Sequence, residues 1–164
     1  AGLQRCGLHM LRVATGRPAV YEPAVLTGTS LLRYSGLASC PSAAAVRERH
    51  RRERRDLLDA GVNLMFTQRP DGTVTLGDTH RYGTTLDPWR AEELDDLLLA
   101  EGRRLLGQEL SVRQRWQGVY ASAPAEYLVE APASGVRVVS VTSGIGMTTA
   151  LGLAADVLDD LLGS

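Results

Sequence analysis

Lysine is absent from this 164-residue chain: all 18 basic residues are arginine. That removes any Schiff-base lysine from consideration. Together with the abundance of Ala, Gly, Leu and Val, it points to GC-rich coding more than to a chemistry. Cysteine is scarce as well. Cys6 and Cys40 are too few for a disulfide framework and have no metal-ligand spacing, so both are expected as free thiols of a cytoplasmic protein, with no metal site. No apolar run is long enough to span a bilayer and no signal-peptide pattern opens the chain, which argues against a membrane partner. The formal net charge of −1 argues against a dedicated nucleic-acid binder. What remains is an ordinary 44% hydrophobic content, enough at this length for one compact domain with a real core.

Read along the chain, Leu3 to Val13 is an expected strand interrupted by Gly7, and Ala24 to Tyr34 reads as a further strand. Pro41-Ser42 opens an expected helix from about Ala43 to Asp59, with Ala60-Gly61 as its stop. Its charge run, Arg47 to Asp56, interleaves Glu48, Glu53 and Asp56 at i,i+3 and i,i+4 spacing and holds no aromatic residue to stack a base. It therefore reads as a solvated face. Val62–Gln68 and Thr73–Gly77 flank Arg69-Pro70-Asp71-Gly72, a hairpin signal. A polar cluster, Gly77-Asp78-Thr79-His80-Arg81-Tyr82-Gly83, follows at the strand end. A second helix is expected from about Trp89 to Leu106, acidic at its start and basic at its end, as the helix dipole favours. Val112–Ala121 and Glu126–Glu130 complete the strands before the terminal segment. The order is α+β, a mainly antiparallel sheet with flanking helices.

The last thirty residues are the most informative. Val136–Val141 (VRVVSV) reads as a buried strand, and Thr142-Ser143 offers hydroxyls that can cap a helix. From Met147 to Leu162 apolar residues recur at helical spacing (Met147, Leu151, Ala154, Ala155, Leu158, Leu161, Leu162), with Gly163 as the stop. A strand feeding a helix through a glycine turn aims free N–H groups and a positive dipole end at one point. That suits a phosphate, a carboxylate or the electron-rich pyrimidine edge of a flavin. The G-x-G-x-x-G dinucleotide fingerprint fails, because position 149 is threonine and no second strand with an acidic end follows. A plainer reading has the glycines serving only close strand–helix packing.

Three pieces in this order carry a resemblance: the hairpin leading into GDTHRYG, the R-W-x-G-x-Y pattern of Arg115, Trp116, Gly118 and Tyr120, and VVSVTSGIGMTTALGLAADVLDDLL. The chain resembles the C-terminal half of FAD-dependent amine and amino-acid oxidoreductases of the D-amino-acid oxidase and glycine oxidase superfamily. The likeness is strongest to a bacterial branch associated by proposal with aminophosphonate breakdown. The resemblance implies a substrate-binding domain over about 1–135. Residues 136–164 would be the strand, turn and helix that normally complete the FAD domain. It also implies that the N-terminal nucleotide-binding half is missing from this chain, so that the chain by itself is inactive and does not retain FAD. The reaction implied is hydride transfer from the amine-bearing carbon to flavin N5, then imine hydrolysis and reoxidation by oxygen. No catalytic acid or base stands out.

By this resemblance Gly144, Ile145, Gly146, Met147 and Thr148 lie along the flavin, bound non-covalently since no cysteine follows Cys40. His80, Arg81, Tyr82, Arg115 and Tyr120 are the candidate substrate anchors, with Arg33 and His9 behind them. Relatives often carry arginine where Tyr120 stands, and its replacement favours a phosphonate over an ordinary amino acid as the anionic end of a small amine. Other readings stand beside these. Asp78-Thr79-His80 can form an Asx turn, Trp116 and Tyr120 can be core, and Arg115 can serve a carboxylate of the fold. The whole chain can also be a non-enzymatic ligand-binding or scaffold domain. The oligomeric state is not legible.

Overall fold

A computed structural model describes residues 2–18 and 20–163; Ala1 and Ser164, the outer limits of the two expected domains, lie outside them. In chain order the elements are β1 (Gln4–Thr15), β2 (Val25–Leu26), α1 (Gly28–Arg33), α2 (Ser35–Ala38), α3 (Ala43–Glu53), α4 (Arg55–Asp59), β3 (Met65–Gln68) and β4 (Val74–Gly77). They continue with β5 (Arg81–Gly83), α5 (Glu92–Leu106), β6 (Leu110–Ser122), β7 (Tyr127–Ala133), β8 (Val136–Val141) and α6 (Gly146–Leu162). One sheet runs in the order β2-β3-β4-β1-β5, with β6 also paired to β1, and β7-β8 form a separate hairpin. The fold is α+β with antiparallel pairing, as the sequence indicated.

Two compact units make up the chain. The sheet unit comprises Gly7–Arg81 and Asp87–Gly118; the hairpin–helix unit comprises the residues up to Cys6, Tyr82–Leu86 and those from Val119 onward. β8 and α6 thus share a unit with β7 and the end of β6.

The sheet unit holds the core. Leu11 and Val13 of β1, Val74 and Leu76 of β4, Leu64 and Phe66, Leu57 of α4, Leu98 and Leu99 of α5, and Leu110 are all buried together. The hairpin is as expected: Met65 pairs with Gly77 and Gln68 with Val74, and the turn closes through Gly72 N–H to the Arg69 carbonyl at 2.9 Å. Pro70 and Asp71 supply the turn chemistry, and the Asp71 carboxylate accepts from the Thr73 amide at 3.0 Å.

Two expectations fail here, both through tertiary hydrogen bonds. The strand expected over Ala24 to Tyr34 is only Val25–Leu26, after which α1 begins. The hydroxyls of Thr27 and Ser30 donate to the Leu64 carbonyl at 2.8 and 3.0 Å, and Thr29 Oγ1 accepts from the Leu64 amide at 2.9 Å. Those three bonds coil the segment against β3, where its β-branched residues alone favour extension. The single helix expected over Ala43 to Asp59 breaks at Arg54 (φ −147°, ψ 54°), whose guanidinium pairs with Asp56 and with buried Glu101 of α5.

In the hairpin–helix unit, Tyr127 faces Val141 and Val129 faces Val139, with a bulge between Glu130 and Ala133. α6 lies against β8, and an apolar groove of about 590 Å³ is lined by Val139, Val141, Leu153, Val157 and Leu161. β8 was expected to be buried, yet Val136, Val138 and Val139 are 45, 49 and 40% exposed. A two-stranded hairpin with one helix cannot cover both faces of its strands. The helical periodicity over Met147–Leu162 is correct, but Met147, Leu151, Leu158 and Leu162 are exposed. The groove against β8 takes Ala154, Leu158 and Leu161 of that set, together with Leu153 and Val157.

Leu98 is fully buried where α5 meets the sheet. Leu98→Ala is expected to lower unfolding free energy by about 2–5 kcal/mol, measured by urea denaturation. A loss below about 1 kcal/mol would show that α5 is not seated on this core.

Candidate flavin-facing turn and polar clusters

The end of β8 is tied down by Thr142. Its hydroxyl donates to the Ala125 carbonyl at 2.6 Å, its amide donates to the Glu126 carbonyl at 2.9 Å, and its own carbonyl accepts from Ala123. The Ser143 hydroxyl donates to the Glu126 carbonyl at 3.1 Å. These hydroxyls were candidates to cap α6 and do not; the helix begins after Ile145 with no side-chain cap and no acidic residue in its first turn. The Ile145 carbonyl takes the Thr148 and Thr149 amides at 3.0 and 3.1 Å. Among the described residues no acceptor serves the Gly146 and Met147 amides. A helix N-terminus in this state presents two donors and a positive dipole end.

The two glycines of the turn differ. Gly144 has φ +79°, and a Cβ there would stand 3.1 Å from Cζ of Tyr120, so the tyrosine ring lies directly on the turn. Gly146 has no such internal need: a Cβ there would meet Val141 at 3.5 Å, an ordinary contact. Met147 is wholly exposed and Thr148 is exposed.

His80 and Asp78 sit at the end of β4 in the sheet unit, both largely buried. His80 Nδ1 lies 3.2 Å from the Gly61 carbonyl and 3.3 Å from Asp78 Oδ1. Gly61 has φ +61°, and a Cβ there would come within 2.8 Å of the His80 carbonyl. Burial pushes the Asp78 carboxyl up to about 7, against the opposing pull of Arg33 and Asn63. Burial, aided by Arg33, pushes His80 down to about 4. Between about pH 4 and 7 the two therefore meet as a protonated acid and a neutral imidazole rather than as an ion pair, with Nδ1–H directed at the Gly61 carbonyl.

A second cluster surrounds Asp95, which has no exposed surface. His9 Nδ1 lies 2.9 Å from Asp95 Oδ1, the Arg90 guanidinium donates to the same oxygen, and Arg115 Nε is 3.0 Å from Oδ2. Burial alone would raise this carboxyl; hydrogen bonds from Arg90 and His9 outweigh it and hold it below its ordinary value. Arg115 also reaches Glu92 at 3.4 Å. Its geometry is that of a residue serving carboxylates of the fold. Arg81 and Tyr82 are exposed on β5, and Trp116 is 38% exposed, hence no core residue. His80, Arg81 and Arg115 thus lie in the sheet unit, while Tyr82, Tyr120 and Gly144–Thr148 lie in the hairpin–helix unit. No His/Cys/Asp/Glu group among the described residues has the arrangement to hold a metal ion.

The model of the DAO family, FAD dependent oxidoreductases, matches residues 26–160, and the chain belongs to that family. No curated protein and no solved structure matches it. The turn fits the cofactor that this family uses. Two unspent amides, an uncapped helix start and a glycine without an internal reason suit close approach by an electron-rich ring edge.

The neutral acid–imidazole pair has a measurable signature. Between about pH 4 and 6.5 the fold holds one proton more than the unfolded chain at Asp78 and one fewer at His80. The Asp78 contribution falls as pH rises from its unfolded value to about 7, and the His80 contribution rises from about 4 to its unfolded value. The two nearly cancel. In Asp78→Asn, stability is expected to climb with pH over this window, and in His80→Gln to decline. The slopes should approach about 1.4 kcal/mol per pH unit. Denaturant titrations at three pH values read both; flat profiles in the two variants across this window would mean the pair is ionised.

Proposed function

We propose that this chain is the C-terminal portion of an FAD-dependent oxidoreductase that oxidatively deaminates a small primary amine or amino acid, with an aminophosphonate as the favoured class. The uncapped start of α6 carries this reading: Thr142 and Ser143 are spent on the Ala125 and Glu126 carbonyls, leaving Gly146 and Met147 amides for an external acceptor. FAD, when bound, supplies the hydride acceptor. The chain's own part is to hold the ring edge with those amides, to favour negative charge there through the dipole of α6, and to orient the amine. The aminophosphonate preference rests on Tyr120, which stands where relatives often have arginine.

The nucleotide end of the cofactor would be held by a strand–glycine loop–helix that this sequence does not contain, so the 164-residue chain alone is not expected to retain FAD in equilibrium dialysis. Among the described residues no helix is long and apolar enough to cross a membrane; a cytoplasmic location is part of the same proposal.

In the flavin-loaded enzyme, Gly146→Val is expected to lower flavin content or turnover by about tenfold or more. Gly152→Ala, mid-helix with nothing within 4 Å of the added carbon, should leave both unchanged. Flavin absorbance per chain and hydrogen peroxide release measure the two. Wild-type values in Gly146→Val would remove the turn from the cofactor site.

A further inference from the structure

A cavity of about 440 Å³ opens among α1, α3, α4 and α5, and every residue that lines it belongs to the sheet unit. Leu57 closes its floor at 1% exposed, while Leu31, Val46 and Leu105 form apolar walls. Leu31 and Leu105 are 41 and 38% exposed, so part of this apolar surface has no cover of its own. On the α1 side the Thr27 and Thr29 hydroxyls are spent on Leu64. Polar recognition falls to α3 and α5.

Donors and an acceptor are left over there. Arg49 gives its Nε to Glu53 at 2.9 Å, and Arg104 gives Nε and Nη2 to Glu101 at 2.9 and 2.6 Å. Both terminal nitrogens of Arg49 and Nη1 of Arg104 have no acceptor among the described residues. The acceptor is His50. Its Nδ1 lies 3.0 Å from the Val46 carbonyl, which can only accept, so Nδ1 carries the proton and Nε2 the lone pair. Nε2 has no partner among the described residues. The ring is seated on Gly28, where a Cβ would stand 3.1 Å from its Cε1.

We propose that this cavity binds an aliphatic hydroxy acid. The carboxylate takes the free N–H groups of Arg49 and Arg104, the hydroxyl donates to His50 Nε2, and the hydrocarbon lies on Leu31, Val46, Leu57 and Leu105. A volume of this size takes a small organic ligand. Arg49, Arg54 and Arg104 line it against two carboxylates, Glu53 and Glu101, so the wall favours an anion. An acid lacking the hydroxyl would leave Nε2 unpaired, and an amine would meet charge of its own sign. No residue of the Gly144–Thr148 turn lines the cavity, so the site is independent of the cofactor reading.

The isotope-labelled 164-residue chain is titrated with 2-hydroxyhexanoate, hexanoate and hexylamine while amide resonances are followed. The hydroxy acid is expected to give saturable shifts at residues 28–31, 46–54 and 101–105. Hexanoate should bind about fivefold or more weakly, and hexylamine should give no shifts. Arg49→Gln should weaken the hydroxy acid by about tenfold or more. Arg47→Gln, which removes the same charge from the same helix but lines a different groove, should leave it unchanged. His50→Phe keeps a ring on Gly28 and should bring the two acids to equal affinity. Four results would each overturn the proposal: no saturation in the wild-type chain, equal binding of hexanoate or hexylamine, equal losses in Arg47→Gln and Arg49→Gln, or a hydroxy-acid preference that survives His50→Phe. Should His50→Phe not fold, the comparison of the two acids on the wild-type chain decides the role of His50.

Discussion

The hydrogen bond from Thr142 to the Ala125 carbonyl, 2.6 Å long and buried, is the constraint on which the candidate cofactor site depends. With the Thr142 amide on Glu126 and the Ala123 amide on Thr142, it fixes where β8 ends relative to the segment after β6. It also decides what α6 lacks. A threonine or serine just before a helix ordinarily satisfies one of its first amides. Here both hydroxyls point the other way, so the helix starts with its dipole uncompensated. A small local cost in helix stability becomes an electrostatic asset at one point in space.

Charge in the sheet unit follows a different logic. Asp95 and Glu101 are buried and ionised, and each is met by two guanidinium groups, Arg90 with Arg115 and Arg54 with Arg104. Arginine suits this work, since a fork can bind a carboxylate and still reach a second acceptor. Arg54 does so between Glu101 and Asp56, and the helix breaks there to allow it. Asp78 has no such clamp. Burial outweighs the pull of Arg33 and Asn63, and the carboxyl keeps its proton up to about pH 7, beside a neutral His80. Three buried acids in one unit thus show both solutions to desolvation.

The elements legible in the sequence are those whose cause is local. The Arg69–Gly72 turn and the acidic-to-basic gradient of α5 each act within a few residues, and both stand. What was not legible depends on partners distant in sequence. α1 coils because three hydroxyls find Leu64, and the long helix divides because Arg54 finds Glu101, 47 residues away. The same divide runs through the candidate site. The Gly144–Thr148 turn is visible as a pattern, whereas the use of the Thr142 and Ser143 hydroxyls on the Ala125 and Glu126 carbonyls exists only once the chain is folded. Arg115 is the converse case: a conspicuous motif position whose charge the fold consumes.

Gly144 and Gly146 sharpen the argument about function. Gly144 is explained from within, by a positive φ and by the Tyr120 ring 3.1 Å from where a side chain would begin. Gly146 is not. Its backbone is helical, its nearest neighbour is at a comfortable 3.5 Å, and glycine in a helix costs about 0.5–1 kcal/mol against alanine. No contact within the unit requires glycine at this position, as none does at Gly152, so the reading of Gly146 rests on the unspent amide beside it. The electron-rich ring edge we propose as the acceptor of that amide would need both the donor and the absence of a side chain there. Of the two, Gly146 is the position on which the proposed cofactor contact turns, while Gly144 seats the Tyr120 ring.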